Sequence, residues 1–172
     1  IWSGLQTYYD VIDFVESVKA GNHLAIAPDT SIDFFSYSIG TLLGEILMMT
    51  NKNDYFSHSK YATICGGPVF NRLSPVSKFI LDSEADVSLY SYVVEHLDSH
   101  IKLTPILRHY MMDLPVGINF RCMLNYQSLM QYREDKLREM SDRFYAIALA
   151  QDKVVPPYEV MNTLQGALRN IP

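Results

Sequence analysis

The chain has 172 residues, of which 48% are hydrophobic and 19% are charged, and this composition is typical of a folded globular protein and excludes a disordered one. Its net charge of −5, without any run of lysine or arginine, argues against nucleic acid or an anionic membrane as the main partner. No apolar run approaches the roughly 20 residues of a membrane-spanning helix. Two cysteines, Cys65 and Cys122, lie in unlike contexts, which fits a reducing, cytoplasmic location, while one disulfide stays an alternative.

The first third of the chain predicts a helix, a strand and a second helix. Apolar residues recur at intervals of three and four over residues 5–20, and a glycine follows directly. Residues 32–37 are almost continuously apolar, as in a parallel strand that is covered on both faces. Residues 38–50 resume a helical pattern, in which Gly40 and Gly44 share a face that can lie close to the sheet.

The turn between this strand and the second helix contains Ser38. A serine in a tight strand-to-helix turn holds its hydroxyl above the sheet edge, and small residues are needed two positions away on either side, here Ser36 and Gly40. The start of the helix directs free backbone N–H groups at the same point, and Ile39 would provide the first of them. The pattern fits a nucleophile elbow and, equally, an ordinary connection in which Ser38 caps the helix.

A second buried strand is predicted over residues 60–65, because Gly66-Gly67-Pro68 ends an apolar run there. Strands that alternate with helices imply right-handed crossovers and a parallel sheet. The fold class predicted for the chain is therefore α/β.

The middle of the chain interrupts this alternation with helical patterns alone. They follow Pro75 and cover residues 84–101, 105–112 and 123–140. We expect an insertion outside the sheet, whose tyrosines and methionines pack helix against helix or line a pocket.

The sheet resumes with a third apolar strand over residues 143–150. Asp152 follows, then the sequence Lys-Val-Val-Pro-Pro and a last helix, whose first turn suits proline. By itself, Asp152 fits a helix cap or a turn carboxylate.

The combination of the Ser38 turn, the helical insertion and the Asp152 loop, in this order, resembles the α/β-hydrolase family. The resemblance implies a partial α/β-hydrolase fold, with core segments over residues 1–73 and 142–172 and a helical cap over residues 74–141. It implies that Ser38 is the nucleophile, that Asp152 orients the catalytic histidine, and that Ile39 donates one oxyanion hydrogen bond. The implied activity is that of a serine hydrolase on a small carboxylic ester or related acyl substrate, without metal or organic cofactor.

Two features depart from the family pattern. Ser36 stands where the elbow has its first glycine, and every histidine precedes Asp152, whereas the family's base follows the acid. We therefore expect the base to lie beyond residue 172, in a longer enzyme of which this chain is a fragment. A reduced relative without catalysis, which binds a ligand or a partner, is the alternative. The histidines are His23, His58, His96, His100 and His109.

Two further expectations concern metals and partners. His96 and His100 are one helical turn apart, but Leu97 replaces the glutamate of the H-E-x-x-H motif and no third ligand is evident, which disfavours a metal site. A partial sheet would expose strand edges and an apolar face, so we expect self-association.

Overall fold

A three-stranded parallel sheet is the centre of the fold. The structure, a computed structural model, describes residues 2–73 and 83–164. The strands are β1 (Phe34–Tyr37), β2 (Tyr61–Ile64) and β3 (Phe144–Ile147), in the order β1-β2-β3 with β2 between the other two. The predicted α/β class, the three strands and their parallel direction are confirmed.

Helices of the described ranges flank the sheet and form the insertion between β2 and β3. The last helix of the insertion leads into β3, and the final helix follows the Asp152 loop. They are α1 (Trp2–Lys19), α2 (Gly40–Thr50), α3 (Ser83–Ser91), α4 (Leu97–Leu103), α5 (Pro105–Arg108), α6 (Pro115–Leu124), α7 (Met130–Glu139) and α8 (Pro157–Thr163).

Two predicted elements end at the wrong residue. The third strand does not reach residue 150, because the Asp152 N–H donates to the Leu149 carbonyl and the chain turns directly after β3. Of the helix predicted over residues 123–140, only α7 forms; residues 125–129 are not helical, and residues 123 and 124 are the end of α6, which begins at Pro115 and was not predicted. Buried Arg133 explains the break, since its guanidinium donates to the carbonyl of Cys122 (2.8 Å) in the last turn of α6 and to that of Tyr126 (3.0 Å) in the segment after the helix.

The helices predicted over residues 84–101 and 105–112 agree with the structure, except that each contains a π-helical turn. Helices α3 and α4 are joined by a π-helical turn over Tyr92–His96, and α5 continues through another over His109–Asp113. The short helix predicted after Pro75 lies outside the described residues. None of the helices in the described ranges is long and apolar enough to cross a membrane.

The insertion packs against the same core as the first two helices. Met111 and Met123 are fully buried in one cluster with Ile12 of α1 and Ile46 of α2, and the Phe120 ring lies against Gly4. These methionines therefore pack helix against helix, which is the simpler of the two roles considered for them.

The two faces of the sheet differ, so the prediction of strands covered on both sides is wrong. Tyr61 of β2 stacks on Phe144 of β3 on the face that α2 covers. On the opposite face Phe35 and Tyr37 are 71% and 65% exposed. Through β2, the strand register aligns Phe35 with Tyr145 and Tyr37 with Ile147. Tyr145 and Ile147 are 55% and 51% exposed.

Candidate active site

Ser38 follows β1 directly and has a left-handed backbone conformation, with φ of 52°. This conformation costs a residue with a Cβ roughly 1–2 kcal/mol, so the surroundings must hold it. The Ser38 N–H donates to the Ile64 carbonyl (3.1 Å), and the Ser38 carbonyl accepts from the Thr41 N–H (3.0 Å). The result is the sharp strand-to-helix turn that the sequence predicts at this position.

The hydroxyl of Ser38 does not cap helix α2, so the alternative interpretation of this residue is wrong. Ile39 occupies the N-cap position, and no side chain caps the helix. In the part of the chain that the structure describes, neither the Ser38 hydroxyl nor the Ile39 N–H has a hydrogen-bond partner. Both groups are therefore available to a ligand.

Hydrogen bonds of Ser36 and Tyr61 connect β1, β2 and the start of α2 next to the turn. The Tyr61 hydroxyl donates to the Thr41 carbonyl (2.9 Å) and therefore accepts from the Ser36 hydroxyl (2.6 Å). This bond gives a reason for serine where the elbow pattern has glycine. A Cβ at Gly40 would lie an ordinary 3.9 Å from the Ser36 Cβ, whereas one at Gly44 would lie 2.5 Å from the Tyr61 oxygen.

Ser38 lies in the wall of an apolar cavity of about 350 Å³. Small-molecule sites begin at about this size and combine apolar walls with a few polar groups. Leu89 of α3 is the insertion's contribution to the wall within the described ranges. The lining residues are Ser38, Ile39, Thr41, Leu42, Gly66, Pro68, Phe70, Leu73, Leu89, Val154 and Val155.

Asp152 belongs to a loop that borders the same cavity through Val154 and Val155. Its Oδ1 accepts from the N–H groups of Val154 (2.8 Å) and Val155 (2.9 Å), so the turn-carboxylate role considered for this residue is present. Burial opposes ionisation, but the hydrogen bonds from Val155, Val154 and the Cys65 thiol outweigh it and lower the pKa of Asp152 below its ordinary value of 3.8. The loop therefore places an ionised carboxylate at the carboxyl end of β3.

Cys65, which sequence reasoning did not select, lies between these two residues at the end of β2. It too is left-handed, with φ of 52°, and its N–H donates to the Ile147 carbonyl (3.1 Å). Burial and the neighbouring Asp152 carboxylate raise the pKa of the Cys65 thiol, which favours its protonated form. The one sequence signal was its position, directly before Gly66-Gly67 at a strand end.

All five histidines lie in the described ranges, and none lines the cavity. His109 is exposed and faces Asp113 (3.4 Å), and His100 is exposed and bonds to the Tyr92 hydroxyl (2.8 Å). No group of three or more His, Cys, Asp or Glu side chains in those ranges could hold a metal ion. The structure therefore brings Ser38 and the Asp152 loop together, but it brings no histidine to them.

Comparison with protein families matches the chain over residues 1–172 to a family of unknown function, DUF6051. The chain belongs to this family. No curated protein and no solved structure matches it. For this DUF6051 member, a functional assignment therefore depends on the geometry of the site.

Replacement of Asp152 tests whether its ionised form stabilises the loop. We expect Asp152→Ala to lower the free energy of unfolding at neutral pH by about 1–2 kcal/mol, because two backbone N–H groups lose their acceptor. A lowered folded-state pKa gives stability that is present above the ordinary pKa of 3.8 and lost as the pH falls through the folded value. The difference between wild type and Asp152→Ala should therefore shrink on acidification, as measured by urea unfolding across pH.

The matched control is Asp152→Asn, which keeps an acceptor oxygen but cannot ionise. Its stability relative to Asp152→Ala should not change with pH. A difference between wild type and Asp152→Ala that persists unchanged below the folded pKa would contradict the ionised carboxylate.

Proposed function

We propose that this protein is a serine hydrolase of the α/β-hydrolase type, which acts on a carboxylic ester or a related acyl compound. The observation that carries the proposal is Ser38, strained into a left-handed turn at the end of β1 with its hydroxyl unbonded in an apolar cavity. Residues in disfavoured backbone conformations cluster at functional sites, since ordinary turns avoid the cost.

The topology supports the same proposal. A serine follows β1, a helical insertion follows β2, and a carboxylate follows β3, in three adjacent parallel strands. The α/β-hydrolase family uses this order of nucleophile, cap and acid. The helix before β1 and the helix between β1 and β2 also take the places that the family gives them.

The proposed reaction begins when the Ser38 Oγ attacks the acyl carbonyl carbon and its proton passes to a histidine. Asp152 holds that imidazole in the tautomer that accepts the proton and stabilises the cation that forms. The Ile39 N–H donates to the developing oxyanion. The alcohol leaves with the proton, and water then releases the acid from Ser38. We propose that the base is a histidine outside residues 1–172, because none of the five histidines, all of which the structure describes, lines the cavity.

The cavity suggests the chemistry of the substrate. Its walls are formed almost entirely by aliphatic side chains, proline and one phenylalanine, so an uncharged apolar acyl or alcohol group suits it. The reaction needs no metal or organic cofactor. Cys65 and Cys122 are free thiols, which supports our proposal of a cytoplasmic location.

A non-catalytic binding module is the second candidate. The absence of a histidine from the lining of the cavity favours it. In that case the same cavity would bind an apolar ligand without turnover, and Ser38 would be strained for no chemical reason.

Hydrolysis of p-nitrophenyl esters by the full-length gene product decides between the two. We expect Ser38→Ala to lower kcat by roughly 10⁴-fold or more, because the nucleophile is lost. Ser38→Gly should be equally inactive yet more stable than Ser38→Ala, since glycine adopts the left-handed conformation without cost. The control is Ser31→Ala, an exposed position before β1 that should keep full activity.

Turnover that survives in a folded Ser38→Gly protein would refute the hydrolase proposal. Absence of turnover in the wild-type gene product, with binding of an apolar ligand that Leu42→Trp abolishes, would favour the binding module. Leu42 is suitable because it lines the cavity and carries none of the proposed chemistry.

We also propose that residues 1–172 alone self-associate through the exposed face of the sheet. That face exposes four large apolar side chains, those of Phe35, Tyr37, Tyr145 and Ile147. Because parallel sheets are ordinarily covered on both sides, this face is suited to cover by a second copy of the chain. Light scattering should show a mass above that of the monomer. Phe35→Lys with Tyr145→Lys should restore the monomer.

Ile106→Lys is the control for self-association, because Ile106 is also exposed but lies on α5, away from the sheet. It should leave the higher mass unchanged. A monomeric wild-type polypeptide, or equal loss of association in Ile106→Lys, would contradict association through the sheet.

A further inference from the structure

The Thr41 side chain joins the Ser38 turn to the glycine turn that follows β2. Its Oγ1 donates to the Ser38 carbonyl (2.7 Å) and accepts from the Gly67 N–H (3.1 Å). Thr41 is 4% exposed, so water cannot easily replace either bond. One hydroxyl thus links the ends of two neighbouring strands.

The glycines after β2 leave the space that the Thr41 side chain occupies. A Cβ at Gly66 would overlap the Thr41 hydroxyl and methyl groups, and Gly67 has φ of 107°, which side-chain-bearing residues rarely adopt. The turn can therefore close on Thr41 only with glycine at both positions. From the other side, the Tyr61 hydroxyl donates to the Thr41 carbonyl (2.9 Å) and fixes the threonine backbone.

The bond to the Ser38 carbonyl also has a consequence for Ile39. The Ser38 carbonyl and the Ile39 N–H belong to one planar peptide group, in which they point in opposite directions. Two donors of Thr41, its N–H (3.0 Å) and its Oγ1 (2.7 Å), hold the carbonyl oxygen on the side of the helix. The Ile39 N–H is thereby directed away from Thr41. Hydrogen bonds accepted by a carbonyl also polarise the N–H of the same peptide group.

We propose that Thr41 is a positioning residue, whose hydroxyl orients the Ser38–Ile39 peptide so that the Ile39 N–H donates to the oxyanion. The proposal rests on the proposed hydrolase function, because it names what aims the oxyanion donor of that reaction. Thr41 itself stays outside the covalent chemistry. Its effect belongs to the transition state, where the oxyanion forms, and not to binding of the ester.

The test compares Thr41→Val with Thr41→Ser in the full-length gene product. Valine keeps the shape of threonine and removes the hydroxyl, whereas serine keeps the hydroxyl and removes the methyl group. We expect Thr41→Val to lower kcat for a p-nitrophenyl ester roughly 10- to 100-fold with KM nearly unchanged, since loss of a whole oxyanion donor costs about 10²–10³-fold. Thr41→Ser should stay within about threefold of wild type.

A second readout follows the oxyanion directly. A trifluoromethyl ketone with the same acyl chain length as the p-nitrophenyl ester forms an oxyanion adduct with Ser38. Its affinity should therefore fall in Thr41→Val by the same factor as kcat. All variants are measured well below their melting temperatures. If Thr41→Val does not fold, Thr41→Cys, a weaker donor of similar size, replaces it, with the same split between kcat and KM expected.

The outcomes separate this inference from the proposed function. Thr41→Val with wild-type kcat but a lower melting temperature would overturn the inference and leave Thr41 a stabilising residue only. A rise in KM at constant kcat would overturn it too. If Ser38→Gly keeps its turnover, the hydrolase function itself fails, whatever Thr41→Val does.

Discussion

The close approach of α2 to β1 and β2 is the constraint on which the candidate site depends. At Gly44 no side chain would fit against Tyr61, and this contact lets the Tyr61 hydroxyl reach both Ser36 and the Thr41 carbonyl. The helix therefore begins directly above the sheet edge. Ser38 has to enter it through a left-handed turn, because the chain has two residues in which to reverse from strand to helix.

The cost of that turn is offset by groups that the strand ends provide. Ser38 bonds to Ile64 of the neighbouring strand, and Thr41 holds the Ser38 carbonyl from the helix. Cys65 repeats the left-handed conformation one strand further along, beside the Asp152 carboxylate. Disfavoured conformations at two adjacent strand ends, next to an ionised loop carboxylate and an apolar cavity, are the pattern expected of a preorganised site.

Local features of the sequence were enough to predict the three strands, α2 and the Ser38 turn. Gly40 and Gly44 signal the close helix, and the Lys-Val-Val-Pro-Pro sequence signals the loop of Asp152. The role of Ser36 could not be predicted, since its partner Tyr61 is 25 residues away. The break between α6 and α7 was missed for a similar reason: it depends on the buried Arg133, which donates to carbonyls of the last turn of α6 and of the segment after it. The uncovered sheet face contradicts the coverage on both sides that the apolar run of residues 32–37 predicted, although an exposed apolar face was also expected of this sheet.

We propose that Ser38 is a reactive nucleophile, and labelling by a covalent serine probe tests this reactivity. The full-length gene product is treated with an alkyl fluorophosphonate, digested, and the site of the adduct is located by mass spectrometry. We expect a single phosphonylated residue, Ser38, and no adduct after the protein is denatured before treatment. An unmodified Ser38 peptide in the native protein, or an adduct on another residue alone, would contradict it.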